Sequence, residues 1–408
     1  MIRLVCVLAV VAACTRSAEI GKGYAKVLDT MADPPSKLDV VFVIDDSGSI
    51  VGDQESLVNA ARTELFPQLL TASGELPDLH LAVVSSSLDL PSPDLDCTGT
   101  PNGHFIEGPW RQDAPCTVVS GAYLTDAPDG SGGRITNYTG TLGDAFACMA
   151  SIGYQGCGFE QPLEALRRGL QDPSSAGFLR DDAMLLVVFL TDEDDSSGTD
   201  PTTWLPYDRY YANDFWFEYG IVCDQDPLTT GLHTNCRPDD ASTALTPIQT
   251  YVDFLRSLKS DPDLVMVAGI VSPAGPVDVS ESYNKLELRQ VCPDAGRTGF
   301  PAIRLNAFMP EFPARYVLTS FCEDSMEERL HKIASSVTGV MTNRPCLLTD
   351  ASVSADRCRA FDVDEHGVRS ATSAPVVEDM EMCGYTATHL RADIDVAPGH
   401  HIEAECLQ

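Results

Sequence analysis

Four apolar runs constrain this chain more than any other feature of its sequence. They lie at residues 40–44, 79–84, 184–190 and 264–271, and each is rich in valine, leucine and isoleucine on both faces. A strand that is apolar on both faces is typical of a parallel sheet, because the connections between parallel strands cover the sheet on two sides. The runs therefore predict an α/β domain built on a buried parallel sheet.

Apolar stripes at helical spacing lie between and after these runs. The stripe at residues 326–337 is preceded by Ser325, with Glu328 three residues later, and is followed by Gly339, which are signals for the start and the end of a helix. The stripe at residues 248–255 has Pro247 at its first helical position. The alternation of strands and helices predicts a doubly wound, Rossmann-like domain over residues 38–340. The stripes are Leu163, Leu166 and Leu170; Ile248, Val252 and Leu255; and Met326, Leu330, Ile333 and Val337.

Two stretches interrupt the alternation, at residues 88–140 and 196–245. Both are rich in Pro, Gly, Asp and Tyr and each contains two cysteines, so we expect insertions held by disulfides. The aromatic segment FWFEY at 215–219 either anchors a partner or packs the second insertion onto the domain.

At 341–408 the sequence changes to short strand-like pieces with four cysteines, which predicts a small disulfide-rich β unit.

The N-terminus predicts export. Residues 1–13 form an apolar segment too short to span a bilayer, which is typical of a signal peptide. The sequence VAAC that ends at Cys14 resembles a bacterial lipobox, which implies a lipid on Cys14 and a tether over residues 14–37. Thr15 in place of aspartate favours the outer membrane or the cell surface. The alternative is an ordinary secretory signal cut nearer Ala18.

Cysteine content agrees with an exported protein. Of the 14 cysteines, Cys6 and Cys14 lie in the signal segment and the other twelve follow it without a C-x-x-C pair. An even number in an exported chain favours disulfides over zinc. Their spacing suggests six bridges between neighbouring cysteines, although sequence does not determine connectivity, and the alternative is that some thiols stay free. The twelve are Cys97, Cys116, Cys148, Cys157, Cys223, Cys236, Cys292, Cys322, Cys346, Cys358, Cys383 and Cys406.

The chain is strongly acidic. It has 60 acidic against 27 basic residues and a formal net charge of -33. Such a charge argues against the phosphates of nucleic acids and against anionic lipid headgroups as direct partners, and it favours cations. We therefore expect no nucleic-acid partner, and contact with a membrane only through the lipid on Cys14.

Oxygen-bearing side chains follow the first and third apolar runs. Asp45, Ser47 and Ser49 come directly after the first run, and Thr191 and Asp192 end the third. Because the carboxyl ends of parallel strands meet at one edge of a sheet, we expect these side chains to lie close together. Carboxylates and hydroxyls suit Mg²⁺ best and also Ca²⁺ or Mn²⁺, and they suit zinc poorly. The sequence therefore predicts a divalent-cation site at this edge.

The pattern D-x-S-x-S after an apolar strand, with a later strand ending in T-D, resembles the von Willebrand factor A domain and its metal-ion-dependent adhesion site (MIDAS). The resemblance covers most of residues 38–340 and implies a role in adhesion or protein binding. It also implies that Ser47 and Ser49 bind the metal directly, and that Asp45 and Asp192 bind it directly or through waters. The alternative is that DDSGS is a solvated turn that caps the following helix.

One position departs from the pattern of that family. A threonine from a third loop usually completes the site, whereas GCGFEQPLEAL places Glu160 there, and Thr141 is a less convincing substitute. Ligation by Glu160 would put three carboxylates around one ion, which would hold the ion more firmly and reduce its attraction for an acidic group of a partner. The alternative is that Glu160 only caps its helix.

Two further clusters are candidates for metal binding. Asp194 and Asp195 extend the acidic edge and suggest a second cation, for which Ca²⁺ is the candidate; the alternative is that these acidic loop residues are only solvated. His400, His401 and Glu403 suggest a metal site near the C-terminus, and the alternative is a solvated polar tail.

Three functions fit these features. The first is an exported, lipid-anchored binding protein that uses a MIDAS-like site at the cell envelope, with an unidentified protein ligand. The second is an envelope scaffold in which the metal only orders loops. The third is a metal-dependent hydrolase. No histidine lies in either predicted metal loop, so we expect that the protein is not an enzyme.

Overall fold

The computed structural model describes most of the chain between residues 24 and 407. The predicted signal peptide, the lipid on Cys14 and the start of the tether lie outside the described residues, as do Cys116, Cys346 and Cys383. The described residues are 24–29, 31, 33–71, 73–90, 97–108, 119–199, 215–282, 285–292, 299–322, 325–342, 347–348, 357–372, 376–379, 388–391, 397 and 399–407.

Strands and helices alternate through the first three quarters of the chain. The strands are β1 (Tyr24–Asp29), β2 (Lys37–Ile44), β3 (Asp78–Ser85), β4 (Leu124–Pro128), β5 (Arg134–Thr136), β6 (Met184–Thr191), β7 (Ile221–Val222), β8 (Gly231–His233), β9 (Arg237–Pro238), β10 (Val265–Val271), β11 (Val277–Ser282), β12 (Lys285–Leu288), β13 (Tyr316–Ser320), β14 (Leu347–Leu348), β15 (Cys358–Val363), β16 (Arg369–Ala371), β17 (Val376–Asp379), β18 (Thr388–Arg391) and β19 (His401–Leu407). The α-helices are α1 (Val51–Ala60), α2 (Leu142–Ala150), α3 (Pro162–Gln171), α4 (Phe215–Gly220), α5 (Ile248–Ser257), α6 (Ile303–Phe308) and α7 (Met326–Thr342). In the described part of the chain, no helix has both the length and the apolar character needed to cross a membrane.

A seven-stranded sheet forms the centre of the fold, in the order β13-β10-β6-β2-β3-β4-β5. The five strands from β13 to β3 are parallel, and they include all four apolar runs. The first insertion adds β4 and β5 as an antiparallel edge. The predicted α/β architecture with a mostly parallel sheet is therefore confirmed.

Helices cover both faces of this sheet. Helices α1, α2 and α7 pack on one face, where Leu57 and Leu330 join a core with the even-numbered residues 38–44 of β2. Helices α3, α5 and α6 pack on the other face, where Leu166 joins Val41 and other odd-numbered residues. Burying each such side chain contributes about 1.5–3 kcal/mol, so both faces of the central strands must be apolar. This two-sided packing is the physical reason for the apolar runs.

The aromatic segment of the second insertion packs onto the domain. Phe215, Trp216 and Phe217 are at most 2% exposed, and they join a third core that also contains Phe159. Tyr219 alone of these aromatic residues is largely exposed, at 42%. Of the two interpretations of FWFEY, the structure supports packing.

Four disulfides join pairs of described cysteines: Cys97–Cys157, Cys223–Cys236, Cys292–Cys322 and Cys358–Cys406. Two of these bridges join sequence neighbours as predicted. The prediction is wrong for the bridges that span 60 and 48 residues. Folding brings the first insertion against the loop before α3, and it pairs β15 with β19 so that Cys358 and Cys406 lie opposite each other. Cys148 is also disulfide-bonded.

Helix α7 begins with the capping box that its sequence predicts. The Glu328 amide donates to Ser325 Oγ at 3.2 Å, and the Ser325 amide donates to Glu328 Oε2 at 3.2 Å. The predicted end at Gly339 is wrong, because the helix continues to Thr342. Val340 and Met341 are buried in the first core, and this packing outweighs the low helix propensity of the glycine.

Replacing Ser325 by alanine is expected to lower the free energy of unfolding by about 1 kcal/mol, because the Glu328 amide loses its acceptor. Urea denaturation of the variant and the wild type measures this difference. Ser335→Ala, inside the same helix, is the matched control and should change the free energy much less. Equal stability of Ser325→Ala and the wild type would show that the capping box contributes nothing.

The first described strand belongs to a sheet of C-terminal strands, in the order β1-β19-β15-β16. The segment predicted as a tether therefore contains a strand that is part of the folded structure. Smaller sheets follow the orders β12-β11-β8, β14-β18-β17 and β7-β9. Residues 24–29 thus pair with a strand from the region where we predict a C-terminal β unit.

Candidate metal centre

The loops after β2 and β6 meet at the carboxyl edge of the central sheet. These two strands are neighbours, and the chain leaves β2 for β3 on one side before it returns to β6 on the other. Such a reversal of strand order opens a crevice beyond the strand ends, where α/β proteins bind ligands. The Asp45 amide donates to Leu190 O at 3.0 Å, and Thr191 Oγ1 donates to Asp45 Oδ2 at 2.8 Å. Residues from both predicted metal loops therefore line this crevice.

The hydroxyl and carboxylate oxygens converge at this edge. Ser47 Oγ lies 3.0 Å from Ser49 Oγ, and Ser49 Oγ donates to Asp192 Oδ1 at 3.2 Å. The Ser47 amide donates to Asp45 Oδ1 at 2.7 Å, which fixes the turn between the two residues. An ion with six ligands at about 2.1 Å separates adjacent ligand atoms by about 3.0 Å. The spacing and the all-oxygen donor set fit Mg²⁺ or a similar hard cation.

Gln54 holds the loop after β2 in place through hydrogen bonds. Its Nε2 donates to Asp45 O at 2.7 Å and to Gly153 O at 2.8 Å, and the Gly153 amide donates back to Gln54 Oε1 at 3.2 Å. The N-cap of α1 is Ile50, so the aspartates and serines of DDSGS do not cap this helix. The capping alternative for DDSGS is therefore wrong.

Glu160 comes from the loop before α3. Its side chain is 1% exposed, and Ser86 Oγ donates to its Oε2. Its other oxygen, Oε1, is buried and has no hydrogen-bond partner among the described residues. The first-turn amides of α3 donate to Asp195 and Ser197 instead. The alternative that Glu160 caps its helix is therefore wrong.

Thr141, the other candidate for the third loop, is the N-cap of α2. Its Oγ1 accepts from the Asp144 amide at 3.1 Å and donates to Asp144 Oδ2 at 2.7 Å. The hydroxyl thus serves the start of that helix. Glu160 is the better candidate for the third-loop position.

Burial and mutual repulsion disturb the carboxyl groups of the crevice. Burial raises the pKa of Asp45, although neighbouring hydrogen-bond donors oppose this shift. Burial, and then the charge of Asp45, raises the pKa of Asp192 well above its usual value. Burial, and then the charges of Asp45, Asp46 and Glu193, does the same to the pKa of Glu160. A divalent cation among these groups would relieve their repulsion.

Asp45, Glu160 and Asp192 do not form one compact set. When one oxygen is taken from each of these three described carboxylates, no choice places all three oxygens within 4.8 Å of one another. Ligand atoms on opposite sides of Mg²⁺ are about 4.2 Å apart. All three carboxylates therefore cannot ligate one ion at once unless a side chain moves. Ligation by Glu160 stays a prediction.

The end of β3 and the loop after it supply hydroxyl groups that were not predicted. Ser85, Ser86 and Ser87 are fully buried, and Ser87 Oγ donates to Asp46 Oδ1 at 2.5 Å. The signal is present in the sequence, because SSS follows the apolar run at 79–84 directly. Since β3 is a neighbour of β2, its loop lies at the same edge.

A disulfide fixes the loop that lies against these serines. Cys157, bonded to Cys97, donates its amide to Ser87 Oγ at 2.8 Å. The Gly156 amide donates to Asp46 O at 2.7 Å. A Cβ at Gly156 would lie 2.1 Å from Asp46 Oδ1, so this close approach requires glycine. Through the Cys97–Cys157 disulfide, the first insertion thus holds in place the loop that contacts Ser87 and Asp46.

Asp194 and Asp195, the predicted second cation site, have protein partners. The carboxylate of Asp194 accepts from the amides of Arg304 and Leu305 at 2.8 and 3.0 Å, in the first turn of α6. Asp195 accepts from the Arg304 guanidinium at 3.0 Å. Burial raises the pKa of Asp194 to about 7. These contacts favour a role in positioning α3 and α6, and a second cation here stays a prediction.

Comparisons with known proteins establish no family for this chain. No protein-family model matches it, and no curated protein sequence matches it. The pilus adhesin SpaC from Lactobacillus rhamnosus GG, in its open conformation, is similar over 93% of this chain and 39% of its own, with 10% identity and a TM-score of 0.35. Proximal thread matrix protein 1 from the mussel byssus, with a zinc-occupied MIDAS motif, is similar over 77% of this chain and 50% of its own, with 11% identity and a TM-score of 0.30.

A third solved structure, the human COPII-coat protein Sec24c, is similar over 94% of this chain and 41% of its own, with 10% identity and a TM-score of 0.34. This chain therefore spans between about two fifths and one half of the length of these solved chains. At such TM-scores the similarities support neither a family nor a function.

Proposed function

We propose that this chain is an exported binding protein of the von Willebrand factor A kind, which holds a divalent cation at the carboxyl edge of its central sheet. One observation carries this proposal. Ser49 from the loop after β2 contacts Asp192 from the loop after β6 at 3.2 Å, although 143 residues separate them in sequence. The D-x-S-x-S and T-D segments thus meet at the point where the strand order reverses.

The donor set determines which ion suits the site. Ser47 and Ser49 would bind the ion directly, and Asp45 and Asp192 would bind it directly or through waters. Hydroxyl and carboxylate oxygens favour Mg²⁺, with Mn²⁺ and Ca²⁺ as alternatives. When bound, the ion supplies positive charge at a crevice that is otherwise lined by buried carboxylates.

The rim of the crevice suits contact with a protein. Ser49 is exposed, and so is Tyr154, whose side chain is 53% exposed. The two loops are adjacent, because a Cβ at Gly48 would lie 4.0 Å from Tyr154 O. An exposed tyrosine on a loop next to an exposed serine is the kind of surface that anchors protein partners. The net charge of -33 makes a nucleic-acid partner unfavourable.

The protein functions outside the cytoplasm, in this proposal. Its disulfides are typical of an oxidising compartment. The lipid on Cys14 would attach it to the bacterial outer membrane or the cell surface, and no other part of the chain would contact the membrane. Mass spectrometry of the protein extracted from membranes tests the lipid directly.

Selection of a displayed random peptide library tests metal-dependent binding. Peptides selected on the wild-type protein in Mg²⁺ should dissociate in EDTA, and they should not bind Ser47→Ala, because that variant lacks a direct ligand. Asp240→Ala, which removes an exposed carboxylate, is the matched control and should bind the peptides normally. Peptides that bind equally well in EDTA and to a folded Ser47→Ala variant would exclude metal-mediated binding.

A structural scaffold is the second candidate function, and the position of Glu160 favours it. A buried carboxylate near the predicted metal ligands makes the site more negative, which favours holding the cation over capturing an acidic group. Metal-independent peptide binding would support this candidate. Hydrolysis is the least favoured function, since the loops at 45–49 and 191–197 contain no histidine. Turnover of a generic phosphoester that is lost in Asp45→Ala would support it.

A further inference from the structure

The first and last described strands bring three metal-binding side chains together. In the antiparallel pair of β1 and β19, Asp29 lies directly opposite Glu403. His401 and Glu403 are two residues apart in β19, so their side chains project from the same face of the sheet. Asp29 shares that face, because directly opposed residues of an antiparallel pair do so. The register of the two strands thus creates a group of one imidazole and two carboxylates.

The distances within this group suit an ion better than direct hydrogen bonds. His401 Nε2 lies 3.5 Å from Asp29 Oδ1 and 3.9 Å from Glu403 Oε1. All three ligand atoms lie within 4.8 Å of one another, and no other group of this kind occurs in the described part of the chain. Hydrogen bonds between nitrogen and oxygen are usually about 2.9–3.0 Å long. A tetrahedral Zn²⁺ with bonds of about 2.0–2.1 Å separates its ligand atoms by about 3.4 Å.

The surroundings hold the carboxylates in place. Asp29 is 3% exposed and Glu403 is 7% exposed, so two acidic side chains on opposed positions of the sheet are both buried. Like charges directly opposite each other on a sheet are destabilising, and burial increases that cost. Arg369 Nε lies 2.9 Å from Glu403 Oε2, which leaves Oε1 on the side of His401. Arg315 binds the main-chain oxygen of Asp29.

We propose that Asp29, His401 and Glu403 bind a transition-metal ion of the Zn²⁺ class, at a site separate from the oxygen-rich site around Ser47. Imidazole is a ligand that Zn²⁺ accepts readily, whereas the hydroxyl-rich set suits Mg²⁺. Three protein ligands leave one position of a tetrahedral ion for water. Adjacent His400 does not belong to the set, because its Nδ1 lies 2.9 Å from Asp362 Oδ1.

This ion would join the first described strand to the last. Among the described strands, β1 lies at the edge of its sheet and pairs only with β19. The same sheet contains the Cys358–Cys406 disulfide, which joins β19 to β15. A metal bound between β1 and β19 would extend this cross-linking to the N-terminal strand. Any tension on the segment that precedes residue 24 would therefore be carried by the metal as well as by the β-ladder.

Isothermal titration calorimetry with Zn²⁺ tests the site, using untagged, metal-stripped protein. Every variant carries Ser47→Ala, so that the oxygen-rich site contributes as little as possible. We expect one strong Zn²⁺ equivalent in this background. It should be lost when His401→Ala is added and weakened by Glu403→Gln, which preserves the shape of the side chain. His400→Ala, at the neighbouring histidine, is the matched control and should leave it unchanged.

Two results would overturn the proposal. One is the absence of strong Zn²⁺ binding in the Ser47→Ala background, which would show that the three side chains form only an ion-pair network. The other is Zn²⁺ binding of undiminished affinity in both His401→Ala and Glu403→Gln, which would place the ion elsewhere. Circular dichroism of each variant verifies that the fold is intact. If His401→Ala does not fold, Glu403→Gln and His400→Ala decide the question.

Discussion

Chelation of divalent cations is expected to lower the melting temperature of the wild-type protein by about 5–10 °C relative to saturating Mg²⁺. A ligand at a hundred times its Kd stabilises the folded state by about 2.7 kcal/mol. In a domain of this size, each kcal/mol changes the melting temperature by about 2–4 °C. Asp45→Ala is expected to abolish most of the difference, because Asp45 is buried in the crevice and orients Ser47. Differential scanning fluorimetry in Mg²⁺, Mn²⁺, Ca²⁺ and EDTA measures the effect.

The design separates loss of the ion from general loss of stability. In EDTA, Asp45→Ala is expected to melt somewhat below the wild type, because the Ser47 amide and the Thr191 hydroxyl lose a buried acceptor. The quantity compared is therefore the shift in melting temperature that Mg²⁺ produces within each variant. Asp240→Ala should show the full response to Mg²⁺. An equal response in the wild type and Asp45→Ala, or no response of the wild type to any of the three ions, would contradict the metal site.

Glu160→Gln is expected to weaken Mg²⁺ binding at least about tenfold. A unit charge about 8 Å from another contributes about 2 kcal/mol at an effective dielectric of about 20, and a divalent ion doubles this energy. Part of the energy is lost to screening, and about 1.4 kcal/mol is sufficient for a tenfold change. The same variant should be at least as stable as the wild type in EDTA, because it removes one of several buried carboxylates that repel one another.

Glu164→Gln, in the first turn of α3 and four residues after Glu160, is the matched control. Glu164 already accepts hydrogen bonds from Arg167 at 2.7 Å and from Arg168 at 3.0 Å, so its charge is neutralised locally. This variant should retain the wild-type affinity for Mg²⁺ and lose some stability. Calorimetry that shows unchanged or tighter Mg²⁺ binding in Glu160→Gln would mean that the charge of Glu160 does not contribute to holding the ion.

Local pattern predicted much of the fold. The runs at 40–44, 79–84, 184–190 and 264–271 become parallel strands, because only strands covered on both faces need apolar side chains at successive positions. The capping box of Ser325 and Glu328 was readable because its partners lie three residues apart. The end of the same helix was not, because buried contacts of Val340 and Met341 with the first core extend it.

The candidate site was predictable only in part. Asp45, Ser47 and Asp192 could be placed at one edge because parallel strands end on the same side of a sheet. The contact between Glu160 and Ser86 could not, since it depends on which loops face each other across that edge. The partners of Asp194 could not be predicted either. The sequence does not show whether an acidic loop residue is solvated or accepts hydrogen bonds from the first-turn amides of a distant helix, as Asp194 does from α6.

By itself, the sequence determined the type of each central element and the chemistry delivered to its end, because both depend on periodicity and on immediate neighbours along the chain. The tertiary structure alone decided that Cys97 bonds to Cys157, that Gly156 must lie against Asp46, and that Asp29 lies opposite Glu403. Each of these pairings joins segments that are remote in sequence. Their proximity follows from strand register and from the packing of loops at a shared edge, and no local pattern of residues records either.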